Sequence, residues 1–161
     1  MRNLHEQIIE EFYSGFADAN STTMNSCYHK EATFEDPVFG LLEGDDVRDM
    51  WEMLIEKSQG QLKICFSNVA APGTKGFAEW KASYIFSSTN RPVVNVVQAT
   101  FEFKDGLIVS HKDAFDLYEW SKQALGLKGK LFGWTSFFQK KIQQKAVQSL
   151  RHFQSQKYKN L

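Results

Sequence analysis

The residues most able to do chemistry lie at the ends of two extended segments. In Ser110-His111-Lys112-Asp113-Ala114-Phe115-Asp116, the residues His111, Asp113 and Phe115 alternate onto one face of a strand, which sets an imidazole and a carboxylate side by side. Such a pair suits proton transfer, and it suits equally a structural ion pair or a strand-end cap. In Ala32-Thr33-Phe34-Glu35-Asp36-Pro37, Asp36 closes a short strand, because proline cannot donate to a sheet and holds the residue before it extended. A carboxylate fixed there beside Phe34, Val38 and Phe39 is open to desolvation, which raises its pKa toward that of a working base. An Asp before Pro is also a common turn residue, and that reading stays open. No metal is expected, since His5, His29 and His152 supply no third ligand at a recognisable spacing from the His111 and Asp113 pair. There is no Gly-x-Ser-x-Gly, and Gly40, Gly44 and Gly60 are too widely spaced to cradle a phosphate, so cofactor-free chemistry is expected.

The elements that must position these groups follow from periodicity. Leu4, Ile8, Ile9, Phe12, Tyr13 and Phe16 recur at helical spacing and predict a first helix over Leu4 to Phe16. Thr22 is placed to cap a short second helix through Tyr28, and Gly44 and Asp45 open a third, Val47 to Glu56, with the apolar stripe Val47, Met50, Trp51, Leu54 and Ile55. After Gly60 the period falls to 2. Four strands are predicted: Leu62 to Val69, Phe77 to Ser87, Pro92 to Phe103, and Leu107 to Phe115. Asp105-Gly106 is a hairpin turn between the last two. A short helix over Leu117 to Leu125, a loop over Lys128 to Gly133 and a final helix over Thr135 to Lys157 complete the chain. The last helix carries Phe138, Ile142, Ala146, Leu150 and Phe153 as one stripe, expected to pack on the domain's own sheet. Three helices followed by long antiparallel strands make an α+β fold, helices covering one face of a curved sheet.

With 161 residues, 42% hydrophobic and 14% aromatic, the chain has the size and apolar content of one soluble domain with room for a ligand cavity. Cys27 and Cys65 stand in no metal or redox spacing, as expected of free thiols in a reducing compartment, and the absence of an apolar leader or of an 18-residue apolar run points to the cytoplasm. The zero net charge hides an asymmetry: Ser121 to Leu161 holds nine Lys plus Arg and no acid, against ten bases and nineteen acids before it. The tail is expected to dock on its own acidic body. No nucleic-acid partner and no stable membrane insertion are expected.

The stretch Ala32-Thr33-Phe34-Glu35-Asp36-Pro37-Val38, after two helices and before a third, resembles ketosteroid isomerases, and the order and spacing of elements to about Tyr118 resemble the wider nuclear-transport-factor-2-like superfamily with its SnoaL-like polyketide cyclases. The resemblance implies a cone-shaped domain over residues 1–120 and a basic helical extension over 121–161 packed on it. It makes Asp36 the general base, with the oxyanion donors of the isomerases replaced by Phe12 and Ala99, while Tyr13 points elsewhere on its helix; steroid isomerisation is therefore not expected. From the cyclases it implies Asp113 as a base assisted by His111. The implied ligand-binding residues are Phe12, Phe34, Trp51, Trp80, Tyr84, Asn95, Ala99, Phe101 and Phe115. Leu127, Leu131, Phe132 and Trp134 are candidates to plug the mouth of the cavity, or to extend an interface. Homodimerisation through the outer sheet face, at Val94, Val96 and Gln98, is also implied. Two functions follow: binding of a hydrophobic small molecule with proton transfer of isomerase or cyclase type, or noncatalytic binding or assembly on the same fold.

Overall fold

A capping box starts the first helix: Asn3 accepts from the Glu6 amide while the Glu6 side chain accepts from the Asn3 amide, and α1 (Leu4–Ala17) buries Ile9, Phe12, Tyr13 and Phe16. The computed structural model describes residues 2–161. In α2 (Ser21–Ser26) the cap is Asn20, whose side-chain oxygen accepts from the Thr23 amide, rather than Thr22. The chain leaves this helix before Tyr28, which instead opens strand β1 (Tyr28–Asp36), four residues ahead of the expected start. The reason is tertiary: the Tyr28 hydroxyl is drawn into buried hydrogen bonds from which a helix end would remove it.

Strand β2 (Gly40–Glu43) folds back on β1 with Asp36 opposite Gly40; four residues are too few for periodicity to reveal it. Helix α3 (Asp45–Ser58) then runs two residues further at each end than the predicted Val47 to Glu56, with Asp45 and Asp46 in the first turn and Lys57 in the last, charges that complement the helix dipole. Strands β3 (Lys63–Ala70), β4 (Lys75–Phe86), β5 (Arg91–Lys104) and β6 (Leu107–Ala114) follow, and the β5–β6 hairpin turns at Asp105 and Gly106, both in the left-handed region at φ 54 and 75. The six strands form one sheet in the order β2-β1-β6-β5-β4-β3. The fold is α+β, as expected, with one difference: β1 and β6 pair in parallel, so the sheet is mixed. That pairing puts Phe34 of β1 opposite His111 of β6, while Phe101 and Ala99 of β5 stand opposite His111 and Asp113.

After the sheet come α4 (Leu117–Leu125), α5 (Leu127–Phe132) and α6 (Ser136–Lys159). The stretch expected to be a loop is largely α5. Its glycines are not loop signals: a side chain on Gly129 would overlap the carbonyl of Ser121, and one on Gly133 the Ser121 hydroxyl, so both permit close packing of α5 on α4. In consequence Leu127, Leu131, Phe132 and Trp134 face outward, 51 to 70% exposed, and do not plug the cavity. That place is taken by α6, capped by Thr135, with Ile142 and Leu150 buried and Phe138, Ala146 and Phe153 packed against the core.

The far half of α6 is tied to the acidic face of α3. Arg151 grips Asp46 through both its terminal nitrogens at 2.7 and 2.9 Å, and Lys157 Nζ bonds Asp49 at 2.8 Å and Glu52 at 2.7 Å. Asp49 is buried, and Tyr158 and Gln154 also donate to it. Among the described residues no helix is long and apolar enough to cross a membrane. Cys27 is a buried free thiol and Cys65 an exposed one.

Removing the ammonium that faces buried Asp49 leaves that carboxylate with only neutral donors. Lys157→Met is expected to lower the unfolding free energy in urea by about 1–3 kcal/mol at pH 7, and an unchanged midpoint would show that α6 is held by apolar contacts alone.

Candidate functional site

The inner face of the sheet, α3 and α6 enclose a cavity of about 670 Å³ with a mostly apolar and aromatic wall. Phe34, Trp51, Trp80 and Phe115 line it, and α6 closes one side with Phe138, Ile142 and Ala146. Two acids stand on the wall, Asp36 and Asp113.

Asp36 ends β1 and serves as both turn residue and wall residue. Its Oδ1 accepts from the amides of Val38 at 2.9 Å and Phe39 at 2.6 Å, which fixes the carboxyl group; among the described residues Oδ2 has no partner. Asp36 keeps part of its surface open, but that surface faces the cavity, and removal from bulk water pushes its carboxyl up to about 7. The two amides oppose that shift, and the charge of Asp113 adds to it.

Asp113 terminates a buried hydrogen-bond chain. Trp51 Nε1 donates to the Tyr28 hydroxyl oxygen at 2.9 Å, and that hydroxyl lies 2.7 Å from His111 Nδ1. A phenol has one proton, and an oxygen that already accepts from Trp51 directs that proton to Nδ1. Nδ1 therefore accepts, and Nε2 carries the hydrogen that it donates to Asp113 Oδ1 at 2.9 Å. Trp80 Nε1 donates to the same oxygen at 3.4 Å. The imidazole sits in an aromatic box, 4.5 Å from the Phe101 centroid, 5.0 Å from Phe34 and 5.4 Å from Phe12.

Tyr84 repeats the device at the cavity wall. Trp120 Nε1 donates to its hydroxyl at 2.8 Å, and burial, with Asp36 nearby, raises the phenol above its usual value, so it keeps its proton. Among the described residues that proton has no acceptor, and Tyr84 lines the cavity.

The structure brings Asp36, Asp113, Phe34, Trp51, Trp80, Tyr84, Asn95 and Phe115 together around one hollow. His111, Phe12, Ala99 and Phe101 are buried behind the wall and do not line it. Tyr13 does not line the cavity: its ring packs on Phe66 and Trp80, and among the described residues its buried hydroxyl has no partner. Tyr28 and Trp120 escaped sequence reading. Tyr28 fell at a predicted helix end, and the indole of Trp120 belongs to a helix beyond the sheet. No group of three or more His, Cys, Asp or Glu positioned to hold a metal occurs among the described residues.

The sequence matches the model of the SnoaL-like domain over residues 9–111. No curated protein matches it. Among solved structures, TerC co-crystallised with polyporic acid is similar at TM-score 0.67 and 13% identity, over 77% of this chain and 100% of that one. An LEH-like epoxide hydrolase of M. tuberculosis is similar at TM-score 0.59 and 21% identity, over 80% and 92%. A protein with a ketosteroid isomerase-like fold from Catenulispora acidiphila DSM 44928, in complex with trimethylamine, is similar at TM-score 0.61 and 14% identity, over 80% and 96%. At these identities the likeness is one of fold. The domain match ends two residues before Asp113, and α4, α5 and α6 lie outside it.

Burial of Asp36 has a pH signature. Folded, the carboxyl holds its proton to about pH 7; unfolded, it releases it near its ordinary 3.8. The folded state thus binds more protons between these values, and stability falls as pH rises through them. Asp36→Asn keeps an oxygen for the Val38 and Phe39 amides and removes the titration. Urea unfolding is expected to show equal stability for the two proteins near pH 3.5 and a gain for the variant of about 2–4 kcal/mol by pH 8; parallel pH curves would place Asp36 in water.

Proposed function

The chain belongs to the SnoaL-like domain family, and on that premise we propose that it binds a small apolar molecule in the cavity beneath α6 and moves a proton on that molecule without a cofactor, as isomerases and cyclases do. The observation that carries this reading is Asp36, fixed through one oxygen, open to the cavity through the other, and poised at about 7 by desolvation. A base is most effective with a pKa near the working pH. In the proposed reaction the free oxygen of Asp36 takes a proton from a carbon next to a carbonyl, and the Tyr84 hydroxyl donates a hydrogen bond to the oxygen on which charge builds. Tyr84 suits that role because Trp120 already occupies its acceptor side. The proton then held by Asp36 is proposed to return to a second position of the same ligand, which restores the carboxylate, while Asp113, oriented by His111 and Trp80, sustains the basicity of Asp36 through its charge. Asn95 and the aromatic wall orient the ligand.

A second reading has its own support. Phe12 and Ala99 stand where the resembled isomerases carry oxyanion donors, and each is apolar and buried here. Loss of one such donor costs about a hundred- to a thousandfold in rate, which favours passive binding of the same ligand. The two readings separate on one measurement. Exchange of the acidic carbon-bound protons of 2-tetralone into D₂O, followed by NMR, is expected to be accelerated by the protein with a rate rising through about pH 7, and to drop at least a hundredfold in Asp36→Asn. Binding of the ketone without acceleration would leave the carrier reading standing.

The outer face of β5 exposes Val94, Val96 and Gln98, and we propose it as the homodimer surface. Light scattering is expected to give twice the 18.5 kDa chain mass and to return to the monomer in Val94→Asp with Val96→Glu; a wild-type monomer would remove the proposal.

A further inference from the structure

The cavity's two signs of charge differ in exposure. Its acids are withdrawn from bulk water, Asp113 buried and Asp36 half-buried. Its cations, Lys57 of α3, Lys128 of α5, and Lys141 and Lys145 of α6, are all exposed and ring the opening. Three separate helices deliver these lysines to one rim, and no acid joins them there.

The basic tail has enough acids within reach to neutralise some of its cations, and it does so elsewhere. Arg151 and Lys157 are paired with Asp46, Asp49 and Glu52, and Lys122 with Glu119. Among the described residues the four rim lysines have no ion pair, and Lys141 rests its ammonium 4.6 Å above the ring of Phe137. An empty or neutral-filled cavity leaves four like charges around an apolar opening, where their repulsion is only partly screened. An anion at the rim relieves it.

We infer that the ligand is an amphipathic anion, an apolar body ending in a carboxylate or phosphate group that the rim lysines hold at the opening while the other end reaches Asp36 and Asp113. This rests on the cavity being a ligand site. It adds a polarity and a direction: the reacting carbon lies remote from the charged head. Lysine suits a head of either geometry because its ammonium is a compact charge on a flexible stem. The apolar wall excludes a ligand charged along its whole length.

Decanoate, decyl phosphate and decanol share a chain and differ in the head, and Trp51, Trp80 and Trp120 on the wall report binding by fluorescence. At 50 mM salt at least one of the two anions is expected to bind about tenfold or more tightly than decanol, the size of two or three partly exposed charge contacts. Raising the salt to 500 mM is expected to shrink that advantage. Lys141→Gln with Lys145→Gln is expected to reduce it severalfold, with a smaller change in decanol binding, and Lys141→Glu with Lys145→Glu is expected to favour decylamine. Lys159→Gln, off the cavity, serves as the control with no effect. Comparison of the two anions tells carboxylate from phosphate. Equal binding of decanol and both anions, insensitive to salt and to the lysines, would overturn the inference and leave the cavity reading intact. Binding of none of the four probes by a protein with unchanged near-UV circular dichroism would overturn both.

Discussion

A buried imidazole needs a partner for each ring nitrogen, and the closed end of this sheet is organised around meeting that need for His111. One partner comes from Tyr28 at the start of β1, the other from Asp113 on the ring's own strand, and Trp51 and Trp80 complete the chain from α3 and β4. Because unpaired polar atoms are costly where water is excluded, the four elements that carry these groups are held in one register. The parallel pairing of β1 with β6 is part of the same arrangement. It sets Phe34 against His111 and carries the other end of β1, with Asp36, to the wall of the hollow.

From that anchor the two acids acquire different characters. Asp113 spends one oxygen on His111 and Trp80 and is fixed by side chains; Asp36 spends one oxygen on two backbone amides of the turn that follows it. Each presents a carboxyl edge to the same space, and their mutual repulsion adds to the desolvation that lifts Asp36. A paired indole and phenol, Trp120 and Tyr84, supplies a donor on the same wall. The site is thus built from orientation by tryptophan N–H groups, with aromatic walls that keep the dielectric low.

The tail beyond the sheet gives the hollow its roof and its charge. Its distal cations are neutralised on α3, which anchors α6, and its proximal lysines remain at the opening. One basic segment therefore does two things according to whether acids lie opposite it.

Much of this was legible along the chain. The helical and alternating periods placed α1, α3, α6 and the four long strands, Asp-Gly placed the β5–β6 hairpin, and alternation brought His111 and Asp113 to one face, since these features depend only on neighbours a few residues apart. The glycines near 129 and 133 misled because their use, close approach to Ser121, is defined by a helix elsewhere in the fold. Tyr28 and β2 were misread or missed for the same reason: what decides them lies on other elements. The sequence by itself determined the fold class, the acids at the strand ends and the excess of positive charge in the tail. Only the tertiary structure decided which acids share a hollow, which way the tail's apolar residues face and which lysines stay unpaired, because solvent exclusion and charge pairing depend on what arrives from the far side of the fold.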